Sequence, residues 1–214
     1  MKILFFGNCQ TDALYQKVDW AKSESTGESI SCYLNELSEE EFNAKIREAD
    51  LIITQPTKDD YRDRPYLSTR SIIRTKRPET GVAIFAHLWW DYYFSLEEGI
   101  EEKDFLTMVK IQDKCRNEYP EADFWDIHNI IWDLFKVRRL FYTHNHLTCF
   151  LLDRMVAYLM GQAQKQSPDR KHGIVVAYHA DPQDDLIHRM VRKMDFQPGF
   201  EGKTVGRRML ELQK

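Results

Sequence analysis

Residues 1–14 read MKILFFGNCQTDAL, and the parsing of this stretch decides the fold. Residues 2–6 form a short run, apolar from Ile3 onward and without polar alternation, that stops at Gly7. Such a run suits a strand covered on both faces. Glycine then lets the backbone turn sharply. Thr11 is placed to cap a helix over residues 12–21, with Leu14 and Val18 on one side. The same rhythm continues outward. Residues 29–34 read as a second strand. Ser38 and Glu41 form a capping box that opens a helix reaching Ala49. Residues 51–54 make a third strand, ended by Gln55-Pro56; Ser68 starts a helix through Lys76; residues 81–86 give a fourth strand. Strands alternating with helices predict an α/β fold, a short parallel sheet with helices on both faces, of the flavodoxin-like kind.

The second half is more helical. Periodicity predicts helices over residues 102–118 and 121–137 and a short strand over 140–143. The stretch HLTCFLLDRMVAYLMGQ (146–162) places Leu147, Phe150 or Leu151, Met155 and Leu159 on one face of an amphipathic helix. A strand over 174–178 and a helix over 184–193 are predicted in the charged tail. The chain reads as one α/β domain over 1–214: a sheet-forming half (1–100), a helical half (101–165) and the tail (166–214).

Composition narrows the class. With 214 residues and 43% hydrophobic content, the chain can bury one substantial core. A formal charge of −4 gives no reason to expect nucleic acid or a membrane surface as partner. No run approaches the roughly 20 apolar residues of a membrane helix, so no integral membrane segment is expected. The opening apolar run is too short for a secretory leader, which makes a cytoplasmic location the expectation. Cys9, Cys32, Cys115 and Cys149 form no CxxC pair and no close Cys/His spacing. Neither a metal site nor a disulfide framework is expected.

In a parallel sheet the carboxyl ends of the strands form the rim where ligands bind. Gly7, Asn8, Cys9 and Gln10 fall on that rim. A thiol at the start of a helix meets unpaired N–H groups and the positive end of the dipole, which favours thiolate. The same N–H groups, with the amides of Asn8, Gln10 and Gln55, have the makings of an oxyanion hole. A nucleophilic cysteine needs a base within reach. His87 follows the fourth strand directly, and His144 and His146 in FYTHNHLT lie between a strand and a helix; either of the latter pair could serve, with Asn145 or Thr148 orienting the ring or capping the helix. Between Lys58 and Arg77, seven Lys/Arg face three Asp, and Tyr61 and Tyr66 interleave with them. Basic residues among aromatics suit a phosphorylated ligand with a ring. FAHLWWDYYF (85–94) is too aromatic for a solvated loop: Phe85 and one tryptophan are expected in the core, and Asp91 could orient a histidine.

These pieces together resemble the WcbI-type polysaccharide biosynthesis proteins: FFGNCQ after the first strand, ITQP with a Tyr-Arg downstream, the aromatic segment after the fourth strand, and NHLT before a long helix, with Leu147 where that family commonly has proline. The resemblance spans about residues 3–160. It implies a fold distantly like the SGNH esterases, with cysteine where their serine stands, and a protein that binds coenzyme A and passes an acyl group to a surface or capsule sugar. By position, Gly7, Asn8, Cys9 and Gln10 match the first motif, Thr54, Gln55 and Pro56 the second, and Asn145, His146 and Thr148 the third. The expectation is therefore an acyltransferase with Cys9 as nucleophile or contact for the thioester end, His146 or His144 as base, and Gly7, Asn8, Gln10, Thr54, Gln55, His87, Asn145 and Thr148 around the oxyanion and substrate. Tyr61, Arg62, Arg64, Tyr66, Arg70 and Arg74 would hold the coenzyme. A Cys-dependent esterase or thioesterase, or a non-catalytic coenzyme A or nucleotide-binding module, are the competing classes. Partners would be an acyl donor and a glycan acceptor, and a homo-oligomer is compatible with the sequence.

Overall fold

A computed structural model of the protein describes residues 1–33, 36–166, 168 and 174–175. The predicted helix over 184–193 and most of the predicted strand over 174–178 lie outside the described residues. The centre is a five-stranded parallel sheet in the order β2-β1-β3-β4-β5, formed by β1 (Lys2–Gly7), β2 (Thr26–Ser31), β3 (Leu51–Thr54), β4 (Gly81–Ile84) and β5 (Asp123–Phe124). The chain runs from β1 to β2 on one side, then crosses back to place β3 on the other side of β1. That reversal leaves a crevice between the carboxyl ends of β1 and β3.

Alternate strand residues supply two core layers. Ile3, Phe5, Leu51, Ile53 and Ala83 face α1 (Cys9–Gln16), α5 (Ile127–Leu134) and α6 (Cys149–Gln166). Leu4, Phe6, Ile52, Val82 and Ile84 face α2 (Glu39–Glu48) and α3 (Thr69–Thr75). Burial on both faces explains why β1, β3 and β4 carry no polar alternation. The long α4 (Ile100–Glu118) serves both layers, with Met108 in one and Cys115 in the other. Phe85 is fully buried and stacks on Trp125, and Trp90 is fully buried as well. No described helix is long and apolar enough to cross a membrane.

Several expected boundaries move, each for a local reason. Asn8, not Thr11, caps α1: its Oδ1 accepts from the Gln10 N–H at 2.8 Å, while the Thr11 hydroxyl donates to the Asn8 carbonyl. The helix consequently starts at Cys9 and ends at Gln16. Strand β2 begins three residues early because it is an edge strand whose only buried residue is Ile30, so its sequence TGESIS lacks the apolar signature. The predicted helix over 121–137 divides into β5, which pairs with β4, and α5. Residues Phe141–Thr143 (β6) do not join the sheet; they form an antiparallel hairpin with His146–Leu147 (β7). The capping box at Ser38 and the Ser68 cap stand as predicted.

Gly7 is needed for space. A Cβ there would lie 2.7 Å from Gln55 Oε1 and 2.8 Å from the Thr11 methyl. Gly7→Ala is therefore expected to cost about 1–3 kcal/mol of stability, the usual size of an overpacking penalty, and urea unfolding checks it.

Candidate functional site

The end of β1 is tied to the rest of the rim by two buried amides. Gln10 and Gln55 are almost completely inaccessible. Gln55 Nε2 donates to Gln10 Oε1 at 2.8 Å, and Gln55 Oε1 accepts from the Asn8 N–H at 3.0 Å. Gln10 Oε1 also accepts from the Leu88 N–H at 3.0 Å. Gln10 Nε2 donates to the carbonyls of Leu88 at 2.6 Å and Asn145 at 2.9 Å. All four hydrogen-bonding positions of the Gln10 amide are thus used, joining α1, the end of β3, the segment after β4 and the β6–β7 hairpin. The amides expected to hold an oxyanion are instead structural. Thr54 is buried too, its hydroxyl donating to the Gln55 carbonyl at 3.2 Å.

Cys9 takes the first position of α1 and is half-buried. Its thiol is hydrogen-bonded to the Tyr33 side chain and to its own backbone N–H. Burial nonetheless raises the thiol pKa, with Asp12 adding to the rise, and these outweigh the two bonds. The sequence expectation of a thiolate is reversed: removal from water prevails over the helix terminus. No histidine is hydrogen-bonded to Cys9 among the described residues. His146 is exposed, its Nδ1 2.6 Å from the Thr143 hydroxyl. His144 is exposed with its ring against Trp89, centroids 4.4 Å apart. Asp91 accepts from Trp89 Nε1 at 2.7 Å rather than from a histidine. Asn145 contributes its carbonyl to the Gln10 amide, and Thr148 is buried with no partner for its hydroxyl.

His87 stands where β4 meets the rim. Its Nε2 lies 3.0 Å from the Pro56 carbonyl and its Nδ1 3.2 Å from Asn8 Nδ2. A carbonyl only accepts and an amide NH2 only donates, so the ring is the neutral Nε2–H tautomer. Burial lowers its pKa further. His87 therefore orients Asn8 rather than offering a free base.

Beside Asn8 and His87 opens a cavity of about 820 Å³. The crevice between β1 and β3 feeds it, and Cys32, Tyr33, Lys58, Tyr61, Arg70 and the α4 face of Ile111, Lys114, Cys115 and Glu118 line it. Of the residues expected to hold a coenzyme, Tyr61 and Arg70 line this space. Arg62 donates to the Tyr33 carbonyl, the Tyr66 hydroxyl to the Leu37 carbonyl, and Arg74 is exposed on α3; these three and Arg64 are outside the lining. Arg70 already bridges Asp59 at 3.3 Å and Glu118 at 2.5 Å. Sequence reasoning missed α4 and Tyr33. The helix did carry a signal, since residues 111, 114, 115 and 118 fall on one side at three- and four-residue spacing.

Residues 2–96, which hold β1 to β4 and the motifs at Gly7–Gln10 and Thr54–Pro56, match the model of the family described as polysaccharide biosynthesis enzyme WcbI. This match agrees with the resemblance drawn from the motifs over the Gly7–Gln10 and Thr54–Pro56 segments, while the motif at Asn145–Thr148 lies beyond it. Across 80% of this chain and 72% of the other, the protein is similar in fold to a solved structure of WcbI, with a TM-score of 0.54 at 18% identity. That structure is described as a novel polysaccharide biosynthesis enzyme, native and without a disulfide bond between coenzyme A and a cysteine. No curated protein matches the sequence.

Gln10→Leu leaves Leu88 N–H, Leu88 O and Asn145 O without their partner, so it is expected to cost about 2–5 kcal/mol in urea unfolding. A merely catalytic donor would leave stability unchanged. Asp104, buried on α4, accepts from the Asp91 N–H at 2.6 Å and so anchors the aromatic segment. Burial raises its pKa to about 6, against 3.8 ordinarily. Between these values the native chain holds more proton than the unfolded one, so this carboxyl lowers stability as pH rises from about 4 to 6 and adds no slope above. Asp104→Asn removes that slope; comparing the two proteins' unfolding free energies at about pH 4.5 and 7 should show a change on the order of 1–3 kcal/mol.

Proposed function

We propose that the protein binds coenzyme A in the cavity beside Asn8 and His87 and acts as an acyltransferase, moving an acyl group from the coenzyme to a sugar hydroxyl. The observation that supports this reading most is the position of the cavity: it opens at the sheet's reversal point, lined by Lys58, Arg70 and Lys114 for phosphates and by Tyr61 and Tyr119 for a flat ring. Coenzyme A named together with a cysteine in the WcbI structure agrees with it.

Cys9 is joined to this cavity through Tyr33, which lines it. A half-buried thiol with a raised pKa suits contact with the thioester end of the donor better than permanent nucleophile duty. In this reading the acceptor hydroxyl attacks the thioester carbonyl, the C–S bond breaks, and the coenzyme leaves as a thiolate that receives the proton taken from the hydroxyl. His146 takes the hydroxyl proton: its Nδ1 is held by Thr143, and its Nε2 has no protein partner among the described residues. His144, against Trp89, is the substitute. The oxyanion donor is then the Asn8 side chain, whose Nδ2 keeps a second hydrogen beyond the one facing His87, and not the Gln10 and Gln55 amides.

Calorimetric titration with coenzyme A and a radiolabelled acyl-transfer assay test this. Arg70→Ala should weaken coenzyme binding about tenfold, the usual size of a lost charge-assisted contact. His146→Ala should lower transfer by about 100-fold or more with binding retained. Absence of coenzyme binding by the unmodified protein would overturn the reading. Ester hydrolysis without transfer would mark a hydrolase, and binding without any turnover a non-catalytic module.

A further inference from the structure

The best-paired arginines each engage two carboxylates: Arg70 with Asp59 and Glu118, Arg77 with Asp50 and Glu79, Arg116 with Asp113 and Asp126. A different arrangement surrounds the start of the β6–β7 hairpin. Arg139 is half-buried. Its Nε donates to the Phe141 carbonyl at 2.7 Å and its Nη2 to the Tyr142 carbonyl at 3.0 Å. The guanidinium lies 5.8 Å from the Tyr93 ring centroid and 5.7 Å from that of Phe94. The titratable groups beside it are the phenols of Tyr93 and Tyr142, and no carboxylate is among them. Its Nη1 has no protein partner among the described residues.

The neighbouring cations share the pattern. The Arg138 guanidinium stands 3.8 Å from the Phe150 ring centroid, and Arg154 stands 5.1 Å from the same ring. Lys136 lies 5.4 Å from the Phe135 ring. Among the described residues none of these four forms an ion pair, although the chain has 34 acidic residues against 30 basic. A partly desolvated fork, fixed by two carbonyls and two rings and with one edge unbonded, is already arranged to receive a planar oxyanion. Of the rings around these cations, Phe94 and Phe150 are only partly buried and suit the apolar face of a sugar ring.

We propose that Arg139, with Arg138 next to it in sequence and Arg154 on the same Phe150 ring as Arg138, binds a carboxylate or phosphate group on the acceptor, so that the acceptor is an acidic glycan. This rests on the reading above that the acceptor is a sugar. The hairpin itself carries His144 and His146 at its tip, so an anion held at its base brings the attached sugar alongside them. The same chemistry would accept a coenzyme phosphate, and the experiment separates the two sources.

The test is calorimetric titration of the full chain with three probes: an oligogalacturonate tetrasaccharide, maltotetraose as its neutral counterpart, and coenzyme A. The acidic tetrasaccharide should bind and the neutral one bind at least about tenfold more weakly, as expected when charge-assisted contacts are lost. Arg139→Gln should weaken the acidic tetrasaccharide about tenfold while coenzyme affinity stays within about twofold, and Arg139→Lys should restore only part of the loss because it lacks the fork. If Arg139→Gln unfolds, the double variant Arg138→Gln/Arg154→Gln carries the test, with a loss of about threefold or more expected. Equal binding of the acidic and neutral tetrasaccharides, or binding of neither, overturns the inference. A loss confined to coenzyme A assigns the arginines to the donor and overturns it as well. Because the oligosaccharide titrations need no coenzyme, their failure is distinct from failure of the coenzyme reading.

Discussion

The structure turns on one buried contact, the amide pair between Gln10 and Gln55. Two polar side chains removed from water are tolerable only when their hydrogen bonds are complete. Here completion demands partners from four segments that are distant in sequence: the turn after β1, the end of β3, Leu88 beyond β4, and Asn145 in the hairpin. Each unmet partner would cost about 1–3 kcal/mol. The rim is therefore set as a unit, and the positions of Asn8, His87 and the histidine hairpin follow from it.

Seen from this contact, the rim has two sides. On one lie Asn8, His87 and the cavity reaching across to α4; on the other lie the hairpin with its two histidines and the arginines at its base. Cys9 stands between them, linked to the cavity through Tyr33. The glutamines thus do for the scaffold what they were expected to do for the reaction. Their amides position the groups of the rim, and that of Gln10 has no hydrogen-bonding capacity left over. His87 shows the same economy, since its two nitrogens serve Pro56 and Asn8.

Much of the fold was legible in the sequence because the central strands are buried on both faces and the caps are chemically distinct. LIIT and KILFF announce strands by lacking polar residues, and Ser38 with Glu41 announces a helix by a specific exchange of hydrogen bonds. Edge elements were not legible. TGESIS and the two residues of β5 are stabilised by pairing with β1 and β4, which no local pattern records. Among the site residues, the turn at Gly7–Gln10 and the Tyr61–Arg70 segment were read from residue type. Whether an amide is spare or spent depends on long-range partners, and so does whether a thiol at a helix start is wet or buried. Tyr33 and α4 come to the cavity through tertiary packing alone.

Hydrogen exchange at two backbone amides tests the central claim most directly. The Asn8 N–H is held by the Gln55 side chain and the Leu88 N–H by the Gln10 side chain, although both residues follow strands rather than belong to helices or sheet. If the buried amide pair sets the rim, both should exchange as slowly as the amides of β3, within about tenfold. Exchange at the rate of the exposed turns, with β3 still protected, would show that the rim opens independently and would contradict the account.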